Sequence, residues 1–376
     1  MKIAITGAAG LLGWHTAARL HARNCAARFR QEHEPFEVVT LERAAFSDPQ
    51  TLASALTGVE AVLHFAGVNR GTPEQVEAGN PAIARTLIAG CQAAGVVPHI
   101  VYANSTHAAN HSVYGRSKRL AGEILAQGSA SFTDLVLPHI FGEGARPDYN
   151  NVSATFIDRI LTDQAPEMNP DGRVELLHAG AAAEIAIAAA VNRQSGMIAP
   201  AGRPTSVGDL FARLSAFHEA YSANLFPDLS DPFDLALFNS YRSARYTERT
   251  PRPLKLNSDP RGMLFEASRA SGGGGQTFLS WTHPGITRGD HFHLRKIERF
   301  LVVQGEALIR IRRVLGEEIW TYRVNGETPV AVDMPTLHTH SIENVGEGPL
   351  LTLFWTNEVF DPAAPDTYAD PVLESR

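Results

Sequence analysis

The chain has 376 residues, 44% of them hydrophobic and 19% charged, enough for two domains that each bury a core of their own. Its net charge of −7, with no long basic run, argues against nucleic acid or an anionic membrane as the main partner. Two cysteines, Cys25 and Cys91, are too few for a disulfide framework, so a reducing cytoplasm is expected.

Residues 1–24 read as strand, glycine turn and helix, with Met1-Lys2 leading straight into Ile3-Ala4-Ile5-Thr6 and no secretion signal expected. The turn is Gly7-Ala-Ala-Gly10-Leu11-Leu12-Gly13. Glycines there allow a tight turn and let backbone amides at a helix N-terminus approach a pyrophosphate. A lone glycine motif is weak, but TGxxGxxG on the first strand is in the right context, and this form resembles the extended short-chain dehydrogenase/reductases. Residues 36–41 form the second strand, ending at Glu42-Arg43. An acid at that position holds a ribose hydroxyl, whereas an arginine holds a 2′-phosphate, so Arg43 favours NADPH and Glu42 is the contrary signal. Residues 61–65 form another buried strand, followed by Ala66-Gly67-Val68-Asn69, similar to the small-residue turn those reductases place beneath the nucleotide. A helix over 81–95 and a strand over 99–103 follow.

Next come Asn104-Ser105-Thr106 and then Tyr114-Gly-Arg-Ser-Lys118 opening a helix. A tyrosine and a lysine at this spacing share one helix face. An ammonium beside a phenol lowers the phenol pKa and brings proton transfer toward neutrality. YxxxK alone is commonly a surface pair, but after TGxxGxxG and a strand ending in serine it reads as catalytic. Ser105 is the third member, with Thr106 as the alternative because the gap to Tyr114 is short. Residues 135–138 are strand and lead to Phe141-Gly142 and Arg146-Pro-Asp-Tyr-Asn150, where Asn150 is a candidate sugar or phosphate contact against the alternative of a turn residue. Residues 151–245 look mostly helical with short strands, as a small substrate lobe; the apolar stretch 179–191 is interrupted by Glu184, so no membrane span is expected.

Composition shifts at 247–253, with Pro251-Arg252-Pro253, and the domain boundary is placed there: 1–246 and 247–376. Beyond it the pattern is short strands and turns, with a glycine loop at 272–275. Asp259-Pro-Arg261-Gly262 followed by Leu264 and Glu266 resembles the opening of the deoxysugar 3,5-epimerases, in which the arginine binds a nucleotide diphosphate. His291 and His293 project from the same face of a strand, and the chain must turn before Glu298 to bring that carboxylate round. Residues 300–303 are a buried strand, 304–306 a turn and 307–313 the next strand. His338 and His340 arrive later, in Pro335-Thr-Leu337-His338-Thr-His340-Ser-Ile-Glu-Asn344. Two imidazoles, a carboxylate and a returning imidazole make a ligand set for zinc, manganese, iron or nickel. The spacing resembles the two cupin motifs, HxH-x4-E-x6-G and PxG-x2-H-x3-N, with Leu337 at the usual glycine. That register implies His291, His293, Glu298 and His340 as ligands and His338 as the spare imidazole.

A reductase domain with a cupin behind it resembles the CapF (WbjC) family of capsule and O-antigen enzymes over nearly the full length. The strings ITGAAG, HFAGVNR, YGRSK, FGEGARPDYN, PGITRGDHFH, ERFLVVQGEA, HSIENVG and FDPAAPDTY carry the likeness. The resemblance implies a doubly wound Rossmann-type α/β fold followed by an all-β cupin jelly roll, zinc in the cupin and a homodimer. It implies a UDP-4-keto-6-deoxy-N-acetylhexosamine substrate, epimerised at C3 by the cupin and then reduced at C4 with NADPH. The product would be UDP-2-acetamido-2,6-dideoxy-L-talose, a precursor of UDP-N-acetyl-L-fucosamine. Two other functions fit parts of the pattern. A UDP-sugar 4-epimerase would use the same Ser/Tyr/Lys but needs no cupin, and a non-catalytic NADP- or metal-sensing protein would not need Tyr114 and Lys118.

Overall fold

This computed structural model describes residues 1–246, 251–260 and 262–373. By packing, the chain forms two compact units, Met1–Phe141 with Arg173–Thr205 and Gly142–Gly172 with Ser206–Arg376.

The first unit alternates β1 (Lys2–Thr6), α1 (Leu11–Phe29), β2 (Glu37–Leu41), α2 (Pro49–Leu56), β3 (Ala61–His64), α3 (Pro73–Ala93), β4 (His99–Ser105), α4 (Val113–Gly128), β5 (Ser131–Leu137) and β6 (His139–Phe141). The chain leaves for α5 (Val152–Leu161) and returns with β7 (Arg173–His178), α6 (Ala179–Val191), β8 (Gly196–Ile198) and β9 (Arg203–Ser206). The main sheet has strand order β2-β1-β3-β4-β5-β8, with every pair parallel. Alternate residues of each strand feed opposite layers. Ile3, Ile5 and Leu63 pack with Leu20 of α1 and Ala186 and Ile187 of α6. Ala4 and Val62 pack with Leu52, Leu87 and Leu125 of α2, α3 and α4. Both sheet faces are therefore covered by helices, the doubly wound arrangement that near-continuous apolar strands require. One expected element starts elsewhere: α3 begins at Pro73, not Pro81, because Thr72 and Gln75 form a capping box there and Pro73 takes the first turn. Pro81 lies inside the helix.

The second unit contains α5, α7 (Val207–Ser222) and α8 (Pro232–Arg245), then β10 (Arg252–Pro253), β11 (Leu256–Asp259), β12 (Gly262–Phe265), β13 (Gln276–Thr282), β14 (Thr287–Phe292), β15 (Glu298–Gln304), β16 (Glu306–Arg313), β17 (Ile319–Asn325), β18 (Val330–Met334), β19 (His338–Asn344), β20 (Leu350–Thr356) and β21 (Tyr368–Ala369). Two five-stranded sheets, β10-β18-β15-β20-β13 and β17-β16-β19-β14-β21, and the two-stranded β11-β12 make its β part. Phe300, Val332 and Phe354 of one sheet share a core with Ile309, Ile311 and Ile342 of the other, so the pair is a sandwich of alternating strands.

Helix gives way to strand near the expected boundary at 246/247, but the packing divides the chain differently. α7 and α8 belong with the sandwich. Phe226 stacks on Trp355 at 4.3 Å, Asn239 donates to the Arg295 carbonyl at 2.9 Å, and Arg242 donates to the Met334 carbonyl at 3.0 Å. A change of composition marks where secondary structure switches; burial decides which elements share a core.

Candidate functional sites

In the first unit the glycine turn joins β1 to α1, with Gly7 and Gly10 in the turn, Gly10 as the N-cap, and Leu11 and Leu12 as the first helical residues. Gly13 is required by contact: a Cβ there would lie 2.1 Å from the Gly7 carbonyl oxygen. The helix start can therefore fold back against the turn and point its free amides outward. Thr6 Oγ1 accepts from the amides of Phe65 at 3.1 Å and Ala66 at 3.0 Å, which ties the Ala66-Gly67 turn to the end of β1. Asn80 completes this cradle. It donates to the Val68 carbonyl, accepts from the Val68 amide, both at 2.9 Å, and donates to Ser117 Oγ at 2.8 Å. Sequence reading missed Asn80; its only local signal is an Asn-Pro pair inside a helical pattern. Arg43 opens the turn after β2, exposed, and no ion-pair partner holds its guanidinium among the described residues. Glu42 beside it is exposed as well.

Ser105 ends β4, its Oγ accepting from the His107 amide at 3.2 Å. A single 3-10 turn, Thr106–Ala109, separates it from the start of α4. The turn and the helix are in close contact, since a Cβ on Gly115 would come within 2.2 Å of the His107 carbonyl oxygen. The short Ser105-to-Tyr114 gap is thus spanned by one compact turn, and Thr106 on it is exposed. Tyr114 rests edge-on against His107, ring centroids 6.3 Å apart. Lys118, one helical turn on, is buried, donates to the Ala103 carbonyl at 2.6 Å and lies 4.2 Å over the Tyr102 ring. Burial lowers its pKa to about 7, with Asp134 pulling the other way. The expected lowering of the Tyr114 phenol is not found: burial raises it. The physical reason is that both groups are withdrawn from water, which penalises the phenolate and the ammonium alike.

Two further residues were expected to contact substrate. Asn150, in the second unit, is exposed and takes a left-handed conformation at φ 53°, immediately before the N-cap Asn151 of α5. Arg261 lies outside the described residues.

In the second unit, His291, His293, Glu298 and His340 come together, their ligand atoms all within 4.8 Å of one another. β14 pairs with β19 so that His291 faces His340 across the strands. β14 ends at Phe292 and β15 begins at Glu298, which supplies the turn the spacing demanded. Each imidazole directs Nδ1 at a backbone carbonyl: His291 at Gly289 (3.1 Å), His293 at Asp366 (2.5 Å) and His340 at His338 (3.1 Å). A carbonyl only accepts, so Nδ1 carries a proton and Nε2 is the ring nitrogen turned to the cluster. The three Nε2 atoms lie 3.9, 3.1 and 3.2 Å from Glu298 Oε2, and that of His293 is buried with no hydrogen-bond partner. Burial lowers His340 to about 4 and keeps it neutral at pH 7. Burial also works against the Glu298 carboxylate, but contact with the imidazoles overrides it and holds the carboxyl well below its ordinary range. Three imidazole nitrogens converging on one carboxylate oxygen are a donor set for a cation, with a carbonyl behind each ring orienting it.

The loop that carries His293 is held by a residue of the FDPAAPDTY string to which no role was assigned. Asp366, in the C-terminal segment, accepts from the amides of Leu294 (3.1 Å), Arg295 (2.9 Å) and Lys296 (2.8 Å) through its carboxylate. Asn357 holds the Ile297 amide at 2.8 Å. Leu337 fills the usual glycine position with φ 60°, a left-handed conformation costly for leucine. Its amide donates to the His293 carbonyl at 2.8 Å and its carbonyl accepts from Val314 at 3.0 Å. His338 is buried, donates through Nδ1 to the Thr336 carbonyl at 2.8 Å, and packs against Tyr246 and Trp320 at 5.8 and 5.7 Å between ring centroids. Burial lowers it to about 4.

Comparison with known proteins agrees with this architecture. The NAD dependent epimerase/dehydratase family matches residues 3–199 and the polysaccharide biosynthesis C-terminal domain matches 257–368. A curated relative from Pseudomonas aeruginosa, UDP-2-acetamido-2,6-beta-L-arabino-hexul-4-ose reductase, is 30% identical over 383 residues, covering 100% of both chains. The crystal structure of the capsular polysaccharide assembling protein CapF from Staphylococcus aureus is 28% identical, covers 99% of this chain and 100% of its own, and superposes with a TM-score of 0.56. A second CapF structure, with the inhibitor 3-isopropenyl-tropolone, is 28% identical with the same coverage and a TM-score of 0.53. With its nucleotide-binding half matched by the family profile and its whole length by these relatives, the chain belongs to the NAD dependent epimerase/dehydratase family and, within it, to the CapF-like proteins.

Proposed function

We propose that the chain converts a UDP-2-acetamido-2,6-dideoxyhexos-4-ulose in two steps, epimerisation at C3 and then reduction at C4 with NADPH. The product on this reading is UDP-2-acetamido-2,6-dideoxy-L-talose, on the route to UDP-N-acetyl-L-fucosamine. The observation that carries it is the presence, in separately packed units, of Ser105, Tyr114 and Lys118 in the unit with the glycine turn and of three imidazoles turned onto one carboxylate in the other. The substrate class follows the relative's name, a 4-keto UDP-sugar reductase.

Chemistry sets the order. The C3 proton is acidic only while C4 is a ketone, because the electron pair left at C3 must delocalise onto the C4 oxygen. Reduction first would remove that sink. In the second unit a base takes the C3 proton and the proton returns on the opposite face; His338, neutral and with Nε2 free of its Nδ1 bond, is the candidate base. His291, His293, Glu298 and His340 would hold a divalent metal, zinc first among the candidates, and bound there it would supply positive charge for an oxyanion, or hold the loops together. A tropolone inhibitor of CapF fits that reading, since its vicinal oxygens chelate divalent metals. The two sheets around the cluster are then a cupin barrel.

In the first unit, bound NADPH would supply the hydride to C4. Ser105 Oγ orients the carbonyl, Tyr114 Oη gives its proton to the C4 oxygen, and Lys118 holds the ribose and steadies the phenolate left behind. Arg43, exposed and unpaired, suits a 2′-phosphate. The reading includes a homodimer, which the apolar Leu279 and Trp281 exposed on edge strand β13 (51% and 62%) support. It also includes a reducing compartment, supported by two free, buried cysteines. No helix among the described residues is long and apolar enough to cross a membrane.

The test is incubation with a UDP-4-keto-6-deoxy-N-acetylhexosamine and NADPH, following absorbance at 340 nm and the product by NMR. Oxidation of NADPH with a talo-configured product is expected; a product with unchanged C3 would leave only the reductase half standing.

A further inference from the structure

The second unit has a cavity of about 310 Å³ between α7, α8 and the sandwich strands β10, β17 and β18, apart from the four clustered metal-type residues. Its charge is unusual. Arg242, Arg245 and Arg252 all line it, against one acid, Asp333. That acid is already committed: Arg299 grips it through two bonds, at 2.6 and 2.9 Å, and Tyr221 donates to it as well. Arg242 is only 4% exposed, yet its Nε and Nη1 have no hydrogen-bond partner; Nη2 alone is used, on the Met334 carbonyl. Arg252 Nη1 is likewise without a hydrogen bond and lies 3.9 Å from the nearer Asp333 oxygen. A buried guanidinium with idle donors is expensive, because the lost hydration is not replaced. Asp333 compensates part of the charge and the Tyr221 carbonyl accepts from Arg252 Nη2 at 2.5 Å, but among the described residues no acceptor meets Nε and Nη1 of Arg242 or Nη1 of Arg252.

An anion in the cavity would. Guanidinium forks match phosphate oxygens better than any other cation does. The volume is at the low end of small-molecule sites, about 300–1,000 Å³, and is larger than a single phosphate needs. The rest of the wall includes Tyr221, Tyr246 and Tyr322 beside prolines and small apolar residues, and aromatic rings are what a planar base stacks on. Tyr246 also connects the cavity to the imidazole cluster: its ring packs on His338, two residues before His340 on β19, and its hydroxyl is 3.2 Å from that of Tyr322.

We propose that this cavity binds a nucleoside diphosphate, Arg242 and Arg252 taking the phosphates and the tyrosines the base, so that the second unit holds the UDP part of its substrate by itself. The assignment of UDP rests on the two-step reading above; the anion site does not. It is also a different anchor from Arg261, the residue that the resemblance to deoxysugar epimerases singles out.

The experiment is calorimetric titration of the full chain with UDP, in wild type, Arg242→Gln/Arg252→Gln and Arg261→Ala, alongside deuterium exchange at C3 of the 4-ketosugar. Wild type is expected to bind UDP at two sites per chain, one in each unit. The double variant should lose one site, or bind there at least about tenfold more weakly, the scale of one charge-assisted bond. Its KM for C3 exchange should rise by a similar factor, with NADPH-dependent reduction of pre-epimerised ketone unchanged. Arg252→Gln alone, at a position partly open to water, covers the case in which the double variant does not fold and should show a smaller loss in the same direction. Two sites of unchanged affinity in the double variant, or a loss confined to Arg261→Ala, would overturn the proposal. If wild type shows no C3 exchange at all, the two-step reading fails, and the UDP stoichiometry still decides the cavity.

Discussion

The two candidate sites solve the burial of polar groups in opposite ways. Around Glu298 the three imidazoles are committed before any ligand arrives: backbone carbonyls fix each Nδ1, and Asp366 pins the loop between the strands. Around Tyr114 the groups are less settled. Lys118 leans on a backbone carbonyl and a ring face, its ammonium weakened to about 7 by burial, and the Tyr114 phenol is pushed up. A metal-type donor set can be assembled by the protein alone because its lone pairs need only be aimed. A proton-transfer pair needs the cofactor's polar groups to repay desolvation, so its working pKa values belong to the complex.

The largest expected effect comes from breaking the second kind of site. Tyr114→Phe removes the proton donor and little volume, and should slow NADPH oxidation by about 10²-fold or more. Exchange of the C3 proton with D2O, followed by NMR without NADPH, should continue in the same variant. Loss of exchange there would put both steps in one site and end the two-site reading.

The converse variant, His291→Ala/His340→Ala, removes two of four ligands and should leave no bound metal by elemental analysis. C3 exchange should fall sharply while reduction of pre-epimerised ketone survives. Persistent exchange in a folded, metal-free variant would make the metal structural.

A subtler break is Asp366→Ala, which leaves the backbone carbonyl against His293 Nδ1 in place but strips the carboxylate acceptor from three amides of the His293 loop. Metal affinity should drop by about 10–100-fold, the usual scale for outer-shell partners, measured by competition with a chelator. An unchanged affinity would show that the loop is held by other contacts. Arg43→Ala should cut the ratio of kcat/KM for NADPH over NADH by about tenfold, the scale of one charge-assisted bond. A ratio that does not move would hand cofactor choice to Glu42 or another group.

The smallest effect sharpens the comparison through pH. Lys118 in the folded chain titrates at about 7, lowered from its ordinary 10.5. Between those values the unfolded chain holds a proton that the folded chain has released, so the unfolded state binds more protons and stability rises with pH. Below 7 both states are charged and the burial penalty stands in full. Without NADPH, the urea midpoint should therefore climb from pH 7 toward 10, and Lys118→Met should flatten that climb. An identical slope in the variant would place the lysine in contact with more compensating charge than Asp134 supplies.

What could be read from the chain alone were features that local chemistry imposes. The glycine turn is legible because Gly13 has no room for a Cβ beside Gly7, and such contacts recur wherever a helix starts against a strand. The HxH pair and Glu298 are legible because strand parity fixes their faces and forces a turn between them. Other features depended on residues remote in sequence. The roles of Asn80 and Asp366 could not be read from the sequence, since what they bind is backbone 12 and 70–72 residues away respectively. The tolerance of leucine at 337 depends on the amide and carbonyl bonds that hold it from other strands. Nor does composition show that α7 and α8 pack with the sandwich, or that their arginines meet around a cavity. Sequence determines periodicity, turns and short-range spacing, where neighbours along the chain are neighbours in space. Only the tertiary structure decides which apolar faces share a core and which buried charges find a partner, because those terms are set by contacts whose sequence separation leaves no local trace.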